Sequence, residues 1–475
     1  MINSVVLIIF LAAVSEAATL LQVQIVTRHG ARTPLSKNSV TNTEGGAQLT
    51  PVGQKQMYDL GVFMLNRYNI SGLVDIYNNS MSTFESSNLD RTVVSASSFA
   101  LGMFPLKARD PNNESLLGAG VTPANIPVYM TAAANDIMIR AYDKCPTFSA
   151  RLTALYGSKR WLDYQSVHSP LLAKLATVGF GAYADASTGQ VPLKSVWNCF
   201  DAINVAKIEC DADPTTTACT DLPNPELRNV LSAQEWTELQ NISHYAELQK
   251  YSIPNTGDLL GGNLFTRIVG RMTSDKAIQK FYMYSAHYPT LLGLFATMGE
   301  AYLPLSAEII PNYATALFFE QWKDETSGDI VVKTFYKEGM QATVTQLSLD
   351  GACGGLPDCP ISSFQSMAAG LSFSTAAGWC KACENTAADT CMAASIASSS
   401  PETIPTPTET RGSCASTGAG MYAVGFLTAP LLYAIYYWLS ARKLLCFRER
   451  KWADGGKLPV HEEENSKAVG LSHHL

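Results

Sequence analysis

Near the amino terminus Leu21, Val23 and Ile25 alternate with polar residues, a period of two that predicts a strand. Further on, Thr50 then Pro51 has the form of a helix N-cap with proline in the first turn. Met57, Leu60, Gly61, Met64, Leu65 and Tyr68 follow at helical spacing, so this helix lays one face on a core. Residues 72–77 read as a short buried strand. From Asp90 a second helix carries Val93, Ala96, Ala100 and Leu101 on one side and closes at Gly102-Met103-Phe104-Pro105. Residues 131–270 turn to helical stretches and loops, including the polar run Asp211-Ala212-Asp213-Pro214. Strand character returns over Lys280 to Ala286 and leads into a helix bearing Leu291, Leu292, Leu294, Phe295 and Met298. Tyr313 to Trp322 and Ile330 to Tyr336, joined through Ser327-Gly328, read as a hairpin.

The two ends follow other rules. The apolar run at residues 5–14 is too short to span a bilayer and precedes small residues that suit cleavage after Ala17 or Ala18, so residues 1–18 read as a signal peptide. Residues 394–417 have the Ser/Thr/Pro composition of an extended stalk. Residues 418–441 are mostly uncharged and long enough for one tilted span. Arg442, Lys443, Arg448, Arg450 and Lys451 follow, which assigns residues 442–475 to the cytoplasm by the positive-inside rule. The expectation is a type I single-pass membrane protein. Eleven cysteines, ten of them before the span, fit an oxidising compartment. Their pairing is not readable, and Cys380-Lys381-Ala382-Cys383 reads as structural rather than redox-active. Asn69, Asn78, Asn113 and Asn241 head N-x-S glycosylation sequons. A net charge of −7 offers no basic field for nucleic acid.

The chemistry concentrates where the first strand ends, at Arg28-His29-Gly30-Ala31-Arg32-Thr33-Pro34. An imidazole between two guanidinium forks suits a phosphoryl group, because guanidinium matches phosphate oxygens bidentately. Gly30 is expected to supply a positive φ for the turn. Asp90-Arg91-Thr92 places a further arginine at a helix start, where backbone N–H groups also favour an anion. His287 stands at the end of the later strand. Ligands gather at the carboxyl ends of strands in an open α/β sheet, so His29 and His287 are expected at one edge. His168 and His244 read as ordinary histidines, and no carboxylate cluster suggests a metal.

Arg28-His29-Gly30-x-Arg32-x-Pro34, Leu49-Thr50-Pro51-x-Gly53-x-x-Gln56 and Asp90-Arg91-Thr92 together resemble the histidine acid phosphatases, within the histidine phosphatase superfamily. The resemblance implies an α/β fold: a three-layer core with a mainly parallel sheet flanked by helices, plus a smaller, mostly helical inserted cap. Its segments would be core at 19–130 and 271–360, cap at 131–270, and a Cys-rich stretch at 361–393. It implies a phosphomonoester substrate, no cofactor and no metal. His29 would be the nucleophile that forms a phosphohistidine, with Arg28, Arg32, Arg91 and His287 holding the phosphate oxygens. An acidic working pH and an endosomal or lysosomal address are implied, with the cell surface also open; so is a homodimer.

The chain departs from the pattern at Tyr288, where the family has the aspartate that protonates the leaving oxygen, and at Glu85, where it usually has arginine. Three readings follow. Tyr288 donates the proton, or Asp90 or Glu85 reaches the leaving group, or the protein turns over slowly and acts as a phospho-ligand-binding membrane glycoprotein. An adhesion or structural glycoprotein would have no use for the arginine–histidine constellation.

Overall fold

The computed structural model describes residues 18–35, 47–68, 77–104, 126–211, 214–274, 279–299, 310–341, 343–349 and 353–393. Residues 1–17 of the signal segment, Asn69, Asn113, nearly all of the strand expected at 72–77, the stalk, the 418–441 run and the basic tail lie outside these residues. All the described residues belong to one compact unit that ends at Pro401.

The first strand, β1 (Ala18–Arg28), sits at the centre of the sheet. On one side it pairs in parallel with β4 (Phe281–Ala286), which pairs in parallel with β2 (Ser82–Ser87), and β2 with the edge strand β3 (Val128–Thr131). On the other side β5 (Ala316–Asp324) runs antiparallel to β1 and forms a hairpin with β6 (Ile330–Lys337), on which β7 (Thr345–Leu347) and β8 (Asp358–Pro360) pair. The sheet is therefore mixed, parallel in the half that carries the histidines. Gly328, at φ +78°, makes the β5–β6 turn.

Helices cover both faces, as the three-layer expectation required. On one, Val23 and Ile25 of β1, Phe84, Phe281 and Phe318 pack against α1 (Pro51–Tyr68) and α2 (Asp90–Met103) through Met57, Leu60, Phe99 and Met103. Each such side chain taken from water contributes about 1.5–3 kcal/mol. The other face of β1 carries Gln22 and Gln24, which are also buried. Their amides donate to the carbonyls of Gln279 at 3.1 Å and Ile268 at 2.8 Å, so the polar residues of the alternation are satisfied inside the molecule.

Between β3 and β4 run seven α-helices among the described residues: α3 (Pro146–Tyr156), α4 (Lys159–Val167), α5 (Ser169–Thr177), α6 (Val196–Cys210), α7 (Thr217–Thr220), α8 (Ala233–Tyr251) and α9 (Gly257–Thr273). Several of them share one buried cluster with the sheet, in which Trp197, Phe265 and Leu264 meet Tyr284, Leu317 and Phe319. After β4 comes α10 (Tyr288–Thr297), and α11 (Ile361–Ala369) and α12 (Ala376–Ala382) close the described chain.

Cys380 and Cys383 do not pair with each other. Cys383 joins Cys145 and Cys380 joins Cys391, while Cys210–Cys219 and Cys353–Cys359 close short loops. The Cys145–Cys383 bridge spans 238 residues, and Trp379, buried, donates from Nε1 to the Leu259 carbonyl at 2.8 Å. The Cys-rich segment is thereby fastened to the start of α9. Asn78 and Asn241 are exposed.

Candidate active site

The parallel register brings the strand ends together. Arg28 lies opposite Ala286 and Ser86 opposite Ser285, so β1, β4 and β2 finish at one edge and release His29, His287 and the Asp90-Arg91 helix start beside each other. The N-termini of α2 and α10 open there, and the positive end of each helix dipole favours an anion.

Gly30 owes its place to close approach and not to a positive φ. A Cβ there would lie 2.2 Å from the Gly53 carbonyl oxygen, and one on Gly53 would lie 2.0 Å from that of Ala31. The His29 loop and the first turn of α1 thus touch backbone to backbone. Gln56 Oε1 accepts from the Ala31 amide at 2.8 Å, and the Thr50 amide donates to the Ala31 carbonyl at 3.0 Å. The Leu49-Thr50-Pro51-x-Gly53-x-x-Gln56 segment is accordingly the clamp that holds the His29 loop.

His29 is buried, and its Nδ1 stands 2.8 Å from the Gly30 carbonyl. A carbonyl only accepts, so Nδ1 carries the proton and Nε2 keeps its lone pair. Burial, then Arg91, His287, Arg28 and Arg32, hold the imidazole well below its usual pKa. His287, buried, has its ring centre 5.4 Å from that of His29. Its Nε2 lies 2.8 Å from Ser87 Oγ, which is 2.8 Å from Thr92 Oγ1. When Ser87 donates to Nε2, the His287 proton resides on Nδ1. Its pKa too is well below normal, through burial and then Arg91 and Arg140.

The three arginines differ in their ties. Arg28 donates from Nη1 to the Pro311 carbonyl at 2.6 Å and lies 3.9 Å from the Tyr313 ring centre. Arg32 is held bidentately by Asp201 of α6 at 2.8 and 2.9 Å, and this pair outweighs burial and keeps its pKa raised. Arg91 has no side-chain hydrogen-bond acceptor among the described residues; burial, then Arg32, lower it to about 10, so it stays cationic in acid. Among the described residues, Nε of Arg28, of Arg32 and of Arg91 is buried without a partner. Three cations face one carboxylate, and three N–H groups await an acceptor. Such a cradle suits a tetrahedral oxyanion.

Tyr288, the first residue of α10, is buried, and its hydroxyl donates to Glu247 Oε2 of α8 at 2.7 Å. Glu247 Oε1 also accepts from Lys250 at 2.5 Å. Burial and then Glu247 push the phenol well above its usual pKa. The two other carboxylates differ in their ties. Glu85 is engaged by Arg271 and, at 2.8 Å, by Arg267, and Asp90 is exposed. His168 pairs with Glu238 at 2.8 Å, and His244 packs edge-on to Phe200.

Asp201, Glu247, Ser87, Tyr313 and Arg140 carry no motif and are legible only in three dimensions. No cluster able to hold a metal ion occurs among the described residues, and no helix among them is long and apolar enough to cross a membrane.

An imidazole lone pair in a guanidinium cradle at the carboxyl edge of a mixed α/β sheet defines a class of phosphate-handling site. Residues 19–337 match branch 2 of the histidine phosphatase superfamily, and the chain belongs to that family. The lysosomal acid phosphatase of Xenopus laevis is 26% identical, over 80% of this chain and 83% of its own length. The prostatic acid phosphatase of Homo sapiens is 26% identical, over 72% and 83% respectively. The phytase from Citrobacter braakii matches with a TM-score of 0.53 at 14% identity, covering 74% of this chain and 98% of the phytase, a likeness of fold alone.

Proposed function

We propose that this chain is a membrane-anchored acid phosphatase that hydrolyses phosphate monoesters through a phosphohistidine on His29. One observation carries the reading: the Gly30 carbonyl fixes the His29 proton on Nδ1, leaving the Nε2 lone pair among three arginines whose Nε–H groups have no partner. His29 Nε2 bonds to phosphorus as the ester P–O bond breaks and its electron pair leaves with oxygen. Water then bonds to phosphorus, the N–P bond breaks, and neutral imidazole returns. Arg28, Arg32, Arg91 and His287 hold the oxygens and spread the developing charge, which is most of what phosphoryl transfer needs. The depressed His29 pKa keeps the nucleophile neutral in acid, where an ordinary histidine is protonated.

Proton supply to the leaving group is the weak step. The Tyr288 hydroxyl is bonded to Glu247 and its pKa is raised, so it gives up a proton reluctantly. We infer a preference for aryl phosphates, whose leaving oxygens need little protonation, and slow turnover of alkyl esters. The apolar run at 418–441 and the basic residues after it support the anchor. The leader, the cysteines and the lysosomal relative support an endosomal, lysosomal or cell-surface site with the catalytic unit lumenal or extracellular.

The test is hydrolysis of an aryl phosphate from pH 4 to 8 by the full chain and by His29→Ala. Turnover in the parent and none in the variant is expected. A parent that binds phosphate without turnover would favour the slow, phospho-ligand-binding reading suggested by Tyr288.

A further inference from the structure

Tyr313 lies in the loop before β5, and no motif marks it. It is buried, and its hydroxyl oxygen has no hydrogen-bond partner among the described residues. A buried hydroxyl left unpaired costs stability, so one in a native fold calls for an explanation. Its surroundings offer one. The Tyr313 ring centre is 3.9 Å from the Arg28 guanidinium, 5.7 Å from the His29 ring centre and 5.8 Å from the Arg32 guanidinium. The ring that bears the hydroxyl thus stands beside Arg28 and Arg32, two of the arginines whose Nε–H groups are unpaired among the described residues.

The backbone spends strain to hold the tyrosine there. Ala314 adopts φ +59°, a conformation that costs an ordinary L-residue energy and persists where the surroundings enforce it. Here the Ala314 amide donates to the His29 carbonyl at 3.2 Å, and the Arg28 amide to the Thr315 carbonyl at 2.9 Å. The loop that presents Tyr313 is stitched to both ends of the Arg28-His29 pair.

We propose that the Tyr313 hydroxyl is a further catalytic group, a neutral donor that binds a non-bridging oxygen of the phosphoryl group alongside Arg28, Arg32, Arg91 and His287. The inference rests on the phosphatase reading and adds to it a residue outside the signature motifs. Burial raises the phenol above its ordinary pKa against the pull of Arg32 and Arg28, so it remains protonated throughout turnover and acts by hydrogen bonding alone.

Tyr313→Phe in the full chain tests this, with inorganic phosphate as the binding probe and one aryl and one alkyl phosphate as substrates. Loss of one preorganised donor to a developing oxyanion should lower kcat/KM about tenfold to a hundredfold. The loss should be equal for both substrates, because a group on a non-bridging oxygen does not sense the leaving group. Phosphate affinity should fall with it, and the melting temperature should not, since the removed hydroxyl bonded nothing in the fold.

If Tyr313→Phe matches the parent in both phosphate affinity and kcat/KM, the proposal is overturned while the phosphatase reading stands. A loss confined to the alkyl ester with phosphate affinity intact also overturns it, because that pattern marks a leaving-group acid. A parent that neither binds inorganic phosphate nor turns over either ester brings down both readings.

Discussion

Tyr288→Phe separates a tyrosine that donates the leaving-group proton from one that ties α10 to α8. The change keeps the ring, which faces Trp197 at 6.2 Å between centres and the Arg28 guanidinium at 5.2 Å, and removes only the hydroxyl. That hydroxyl is bonded to a buried carboxylate at 2.7 Å, and such a charge-assisted bond is worth about 1.5–3 kcal/mol. Glu247 keeps Lys250, so the carboxylate is not stranded and the stability loss should stay in that range. A phenol acting as general acid would add about 10²- to 10⁴-fold to the rate, mainly for poor leaving groups. We expect urea titration to show the stability loss, and the ratio of aryl to alkyl turnover to stay within about threefold of the parent. A ratio that rises a hundredfold, through collapse of alkyl turnover alone, would refute the reasoning and make Tyr288 the acid.

Three further outcomes follow from the geometry. Gly53→Ala drives a Cβ to 2.0 Å from the Ala31 carbonyl oxygen, so it should cost more than about 3 kcal/mol and displace the His29 loop; an unchanged thermal melt would contradict the clamp. Arg91 is the foremost of the charges that depress His29. With Arg91→Gln the imidazole pKa rises towards its ordinary value, so the acid limb of the kcat/KM profile, which falls as His29 is protonated, should move to higher pH. A limb that stays put or moves down would contradict the assignment of that titration to His29. Cys145→Ser opens the bridge to Cys383 and should lower unfolding free energy by about 2–5 kcal/mol in a denaturant titration; an unaltered midpoint would show that noncovalent ties such as the Trp379 bond suffice to hold the Cys-rich segment.

What could be read from the chain, and what could not, divides along physical lines. The strand of Leu21, Val23 and Ile25, the capped α1 and the β5–β6 hairpin announce themselves by period and turn chemistry, which are local. The β2 segment Ser82-Thr83-Phe84-Glu85-Ser86-Ser87 does not, because Ser86 and Ser87 are buried near His287 and β4 and lend the strand no hydrophobic signal. The histidines and three arginines were legible because each sits in a short motif at or just beyond a strand end or at a helix start. Asp201 was not: it meets Arg32 across 169 residues, and nothing in α6 sets it apart from any other helical aspartate. Glu247 escaped for the same reason. Gly30 was singled out correctly for the wrong cause, since a sequence shows a glycine and not the backbone that crosses it. The pairing of Cys383 with Cys145 likewise depends on where α12 packs.

The most direct test of a phosphohistidine on His29 is to trap the phosphoenzyme. The full chain, mixed with an aryl phosphate and quenched in alkali within milliseconds, would be digested and its peptides weighed. We expect one phosphoryl group on the peptide containing His29, absent from His29→Ala and lost on longer incubation as phosphate is released. Turnover at a normal rate without that modified peptide, or with the phosphoryl group on His287, would contradict the account.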